Sequence, residues 1–264
     1  MSPALSQPQR RAAARQPSRR RPRKQALPST PGRRSPFQQL TSRYDAWFES
    51  PHGRRIFRVE KQCIRGLLNG LPRPWVEIGV GTGRFAAALK IEEGLDPSSA
   101  ALRYAARRGI RIRQGRAEQL PYSPNRFGAA LLLVTICFLD DPTQALLECW
   151  RVLKKEGGLI IGLVPKNSAW GRAYARRGAA GHPFYAAAQF YTAHQIIALA
   201  EQAGFCFERA SSCLLMGPDP KEFKPHRPRA GLLKQAGFVG LRFRKKEERA
   251  QTQSGINKRK EPCQ

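Results

Sequence analysis

The chain has 264 residues and a net charge of +28, from 47 basic and 19 acidic side chains. Its length allows one large domain or two small ones, and its longest apolar run, residues 128–139, is too short to span a bilayer. Six cysteines without a C-x-x-C pair and four scattered histidines offer neither a disulfide framework nor a metal site.

The charge is unevenly placed. Residues 1–43 carry 11 basic and no acidic side chains, and residues 221–264 carry 13 and 4. Nucleic acid is therefore not expected as the main ligand of the central body; basic ends imply at most non-specific polyanion contact. Residues 1–36, rich in Pro, Arg and Ser, cannot bury enough apolar surface to offset the entropy of ordering. They are expected to form a disordered basic tail, residues 37–247 the folded domain, and residues 248–264 a second disordered tail.

Within the domain, Ile56, Val59, Cys63, Ile64, Leu67 and Leu68 recur at helical spacing and predict a helix over 54–69. WVEIGV (75–80) reads as a buried strand, RFAAALK (84–90) as a helix, EGLD (93–96) as a second strand and 98–109 as a helix ending at glycine. A strand is expected over 110–115 and a continuous buried strand over 127–139. Asp141-Pro142 then supplies an N-cap and first-turn proline for a helix through Leu153. Strands at 157–165, 205–215 and 237–245 and a helix over 192–204 complete the pattern. Strands alternating with helices imply a mostly parallel sheet covered on both faces, with the last two strands pairing antiparallel at one edge.

The stretch VEIGVGTGRF (76–85) joins the first of these strands to a helix. Such a unit places backbone amides and a helix N-terminus in the ligand crevice of the sheet, although a tight turn without ligand would look the same. Its glycines, Gly79, Gly81 and Gly83, are spaced G-x-G-x-G, which is neither the dinucleotide fingerprint nor a P-loop. Glu77 precedes them at the strand end. A carboxylate there would repel a phosphate and hold an ammonium group. Asp96 ends the second strand, where a carboxylate can accept both hydroxyls of a ribose. An amino acid joined to a ribose describes S-adenosylmethionine.

VEIGVGTGRF, GLDPS (94–98), GRAEQLPY (115–122), FGAALLLVTICFLDDP (127–142) and RVLKKEGGLIIGLVP (151–165) stand in an order that resembles the class I S-adenosylmethionine-dependent methyltransferases, nearest the small-molecule type related to quinone biosynthesis. The resemblance covers roughly residues 44–246. It implies an α/β, Rossmann-like, doubly wound fold with a mostly parallel seven-stranded sheet and an antiparallel edge strand. It further implies that Glu77 lies near the methionine amino group of the cofactor, that Gly79, Gly81 and Gly83 let the backbone approach it, and that Asp96 holds the ribose. Ala117 would meet adenine through its backbone; where many relatives carry an acid this chain has Arg116, so either Glu118 or a main-chain carbonyl substitutes, or the adenine is held more by stacking.

The acceptor side falls to the insert 166–192, which carries Trp170, Tyr174, His182, Phe184, Tyr185 and Tyr191. Tyr44, Trp47 and Phe48 could close the pocket from the other side. These aromatics could equally pack the insert on the sheet. His182, as general base, and Tyr185 are the candidate catalytic residues. Three arginines of the insert, Arg172, Arg176 and Arg177, admit an anionic acceptor or a solvated helix face. The expected activity is methyl transfer from S-adenosylmethionine to a small molecule in the cytoplasm, without a metal or a membrane span. The alternatives are an RNA or other nucleic-acid methyltransferase anchored by its basic tails, and a non-catalytic nucleic-acid-binding protein. The first lacks the Asn/Asp-Pro-Pro-Tyr/Phe motif of base methylation, and the intact glycine loop with Asp96 argues against the second.

Overall fold

A computed structural model of the chain describes residues 36–219 and 226–246. The two expected disordered tails lie outside the described residues, save for Pro36. Eight strands form one sheet: β1 (Trp75–Ile78), β2 (Glu93–Asp96), β3 (Arg111–Gln114), β4 (Phe127–Leu133), β5 (Leu153–Leu163), β6 (Phe205–Cys213), β7 (Arg229–Ala230) and β8 (Phe238–Lys245). Their spatial order is β3-β2-β1-β4-β5-β8-β6-β7. β1 to β5 pair in parallel, whereas β8 runs antiparallel to both neighbours, β5 and β6. The fold is thus the doubly wound α/β arrangement read from the sequence, with two differences. A two-residue strand, β7, adds an eighth member, and the antiparallel strand β8 lies inside the sheet, with β6 and β7 beyond it.

Helices cover both faces because the central strands are apolar on both sides. In β4 all seven residues are buried, and successive ones point in opposite directions. Ala129, Leu131 and Leu133 pack under α3 (Pro51–Arg65), α4 (Arg84–Leu89) and α5 (Ser99–Arg107). Ala130 and Leu132 face α6 (Pro142–Val152) and α8 (Ala193–Gln202). The caps follow the sequence. Asp141 accepts from the amide of Gln144 to begin α6, and Thr192 with Gln195 forms a reciprocal capping box for α8.

The apolar run 127–139 departs from the expected continuous strand. It ends as a strand at Leu133, turns through Val134 at φ 55° and continues as a 3-10 turn over Ile136–Phe138. Hydrophobicity alone does not distinguish a strand from the buried turn that follows it. Two short helices, α1 (Pro36–Gln39) and α2 (Thr41–Trp47), precede the first predicted helix, and α7 (Ala169–Ala179) occupies the insert after β5. The strand order reverses between β1 and β4, so the crevice that opens there lies between the loops following these strands.

Candidate active site

All three glycines of the β1–α4 loop adopt positive φ: 76° at Gly79, 52° at Gly81 and 80° at Gly83. A side chain on Gly79 would overlap Thr135, and one on Gly83 would come within 2.9 Å of the backbone of Ala105. Gly81 instead faces open space, its nearest neighbour being the ring of Tyr44. The loop therefore presses against the turn after β4 and against α5 at its two ends and exposes its middle.

Two carboxylates brace the loop. Asp96 accepts from the amide of Gly81 through Oδ2 and from that of Ser98 through Oδ1, each at 2.8 Å. Glu77 is 2 % exposed, and its carboxylate accepts from the amide of Ala86 in the first turn of α4. Its Oε2 is buried with no hydrogen-bond partner among the described residues. Burial pushes the Glu77 carboxyl well above its usual range, with Asp96 adding to the rise and the Ala86 amide opposing it. Burial likewise raises Asp96, against the two amides.

A cavity of about 630 Å³ opens in front of the loop. Gly79, Gly81 and Asp96 line one end, Ala117 and Glu118 one side, and His182 and Tyr185 the far wall. Glu77 and Gly83 do not line this cavity. Glu118 accepts from the amides of Asp140 and Asp141 at 3.1 and 3.4 Å and pairs with Arg116, which itself reaches Asp140 at 2.6 Å. These bonds tie the loop after β3 to the loop after β4 and occupy much of the Glu118 carboxylate.

The far wall is aromatic. His182 stacks on Tyr185 at 4.3 Å and Tyr185 on Tyr174 at 4.4 Å. Phe184 meets Phe37 at 5.2 Å and Tyr44 at 5.8 Å, so α1 and α2 close against the insert over the cavity. Nδ1 of His182 is buried without a partner among the described residues, and burial, followed by Arg43 and Arg177, lowers the imidazole below its usual range. It is therefore neutral at pH 7. Burial raises the Tyr185 phenol, which hydrogen-bonds to that of Tyr174. Trp170 does not belong to this wall. It is 1 % exposed, its indole donates to the carbonyl of Met216, and it packs in the core. Cys137 lines the cavity, but burial pushes its thiol up to about 12 and removes it as a nucleophile.

One acidic cavity residue escaped the sequence reading. Glu60 of α3 is 8 % exposed and lines the aromatic half. Burial pushes its carboxyl up to about 8, with Cys63 contributing in the same direction. The available signal was its position: it falls on the same helical stripe as Ile56, Val59, Cys63 and Ile64, all buried.

The family model described as a methyltransferase domain matches residues 76–161, from the glycine loop through β5. A solved structure from Thermotoga maritima, described as a SAM-dependent methyltransferase and possible histamine N-methyltransferase, superposes with a TM-score of 0.72 at 37% identity, covering 80% of this chain and 98% of that one. The chain belongs to the class I S-adenosylmethionine-dependent methyltransferases. An uncharacterized protein of Mycobacterium tuberculosis is 39% identical to this methyltransferase over 198 residues, 75% of this chain and 70% of its own. Demethylmenaquinone methyltransferase of Thermotoga maritima is a more distant relative, 30% identical over 142 residues, 50% of this chain and 62% of its own. S-adenosylmethionine is accordingly the methyl donor of the enzyme. Among the described residues, no helix is long and apolar enough to cross a membrane.

Proposed function

We propose that this methyltransferase acts on a small molecule enclosed between the glycine loop and the aromatic wall. The observation that carries this reading is the continuity of the cavity, which runs from Gly79, Gly81 and Asp96 to His182 and Tyr185. Its volume lies within the range of small-ligand sites, about 300–1,000 Å³. The description of the Thermotoga maritima relative, a possible histamine N-methyltransferase, supports an acceptor of this size. The free thiols of Cys63, Cys137, Cys149, Cys206 and Cys213 support a reducing, cytoplasmic setting.

The residues present fit S-adenosylmethionine. The unpartnered Oε2 of Glu77 would accept from the donor's ammonium group, whose charge would favour the ionised carboxylate that burial disfavours. Gly81 leaves room for close backbone approach, and Asp96 retains acceptor capacity for ribose hydroxyls beyond its two amide bonds. Ala117 and Glu118 form the side along which the adenine lies. The donor supplies a methyl group already activated by a sulfonium. The protein's task is to align the acceptor with that methyl, exclude water and manage one proton. Phe184, Tyr44 and Phe37 seal the acceptor end, while His182 and Tyr185 orient the acceptor.

Calorimetric titration with S-adenosylmethionine and its demethylated product tests the donor site. Both should bind, Asp96→Ala should lose that binding, and His182→Ala and Tyr185→Ala should retain it. With an identified acceptor, the last two variants should lower turnover by about tenfold or more. Methyl incorporation into RNA in place of small acceptors would replace this reading with the nucleic-acid one.

A further inference from the structure

The carboxyl of Glu60 faces the cavity, and among the described residues it forms no hydrogen bond or ion pair. The titratable groups around it are Cys63 on its own helix, Tyr44 on α2, Tyr174 on α7, Tyr185 in the 3-10 turn Tyr185–Ala187, and Cys213 on β6. None of these is a cation, and the arginines that line the same cavity, Arg43, Arg116 and Arg177, form no ion pair with Glu60 among the described residues. An unpaired carboxylate in such surroundings is costly, and a residue with a purely structural role would hold a partner. Glu77 and Asp96 differ in this respect, because each accepts from backbone amides. A partner for its ionised form would have to come from the cavity.

Its location fixes which ligand that is. The phenol of Tyr44 is raised by burial and then by Glu77, Glu60 and Asp96 together, so Tyr44 stands between the donor loop and Glu60. Glu60 is thus on the acceptor side of the point where the two ligands meet. Tyr44, Tyr174 and Tyr185 surround it with aromatic surface, which attracts a cation and tolerates an apolar body. An anionic head group seated directly against Glu60 would be repelled by it, whereas Arg43 and Arg177 line other parts of the same cavity.

Resting on the methyltransferase reading of this cavity, we propose that the acceptor is a primary or secondary amine and that Glu60 takes its ammonium proton. In the empty site at neutral pH, Glu60 is protonated. An entering ammonium displaces that proton to solvent and pairs with the carboxylate. One N–H proton then moves to Glu60, and the freed lone pair on nitrogen attacks the donor methyl. The N–C bond forms as the C–S bond breaks, with its electron pair remaining on sulfur as a neutral thioether. The product leaves as the methylated ammonium ion, and Glu60 returns to its protonated resting form. A carboxyl near 8 lies close enough to an alkylammonium, about 10, to exchange a proton with it rapidly.

The full-length protein, saturated with S-adenosylhomocysteine at pH 7, provides the test. Phenethylamine, 2-phenylethanol and 3-phenylpropanoate share one apolar body and differ in the head group. Each is titrated calorimetrically in two buffers of different ionisation enthalpy, which counts protons released. Phenethylamine should bind about tenfold or more tighter than the other two and release roughly one proton. Glu60→Gln should lose both effects while its affinity for S-adenosylhomocysteine changes less than about twofold; Glu60→Asp should keep part of the proton release. Absence of phenethylamine binding at millimolar concentration, stronger binding of the alcohol or the acid, or unchanged proton release in Glu60→Gln would overturn the proposal. If S-adenosylhomocysteine fails to bind but phenethylamine still releases a Glu60-dependent proton, the donor-site reading fails and the Glu60 assignment stands.

Discussion

A carboxyl on an apolar helical stripe has consequences for stability as well as for chemistry. Glu60 titrates near 8 in the folded chain against an ordinary 4.5. A raised folded value means that the folded state binds the extra proton, so its contribution is complete below about 4.5 and is lost as pH rises to about 8. Thermal denaturation from pH 5 to 8 should therefore show falling stability, and Glu60→Gln should flatten the decline and raise the melting temperature at pH 8. A second prediction concerns Gly79, whose added side chain would overlap Thr135 at positive φ. Gly79→Ala should destabilise the fold by roughly 1–3 kcal/mol, and Thr135→Gly should recover the steric part in a double-mutant cycle. These two positions differ in how far the sequence disclosed them. Gly79 and Asp96 were legible because a local spacing, glycines after a strand and an acid at the next strand end, dictates their geometry. Glu60 was not, because Tyr44, Tyr174 and Tyr185 reach it from segments far apart in the chain.

Among the elements, α2 joins the site to the scaffold. Asp45 accepts from Nε of Arg84 at 2.8 Å and pairs with Arg108 at 3.0 Å, fixing α2 to the start of α4 and the end of α5. Burial alone would raise this carboxyl; hydrogen bonds led by Arg84 outweigh that and hold it at about 2. Because its folded value is depressed, its contribution is present above about 4 and disappears as pH falls toward 2. Asp45→Asn should cost about 2 kcal/mol at pH 7 after solvent screening. It should abolish that part of the acid-induced loss and weaken donor binding, since Tyr44 stands on the same helix against the Gly81 loop. Chemical denaturation at pH 3, 5 and 7 with donor titrations checks all three. The periodic helices and buried strands were readable before the structure. Helix α2 was not, because seven residues carry too little periodicity, and α7 was hidden by the small and aromatic composition of the insert.

For the molecule as a whole, the basic ends and the central domain are expected to act separately. A chain cut to residues 36–247 should bind S-adenosylmethionine with unchanged affinity and lose salt-sensitive RNA binding, measured by titration at rising salt. A fall in donor affinity would show that the ends contribute to the site. The alternation of strands and helices made the sheet legible at this scale. The place of β8 was not, because pairing between strands so distant in sequence leaves no local pattern.

That place sets a schedule for biosynthesis. β8 lies between β5 and β6 and pairs with both, yet it is the last of the three to leave the ribosome. Until residue 245 emerges, the nascent chain carries an unpaired apolar edge at β5, LIIGL, and a strand β6 with no neighbour on that side. Such an edge is a template for pairing with other chains. Ribosome-bound chains halted before Phe238 should therefore be protease-sensitive, recruit chaperones and fail to bind the donor. Chains halted after the whole of β8 has cleared the exit tunnel should close the sheet and bind it. The methyltransferase closes its sheet only when its last described strand is in place.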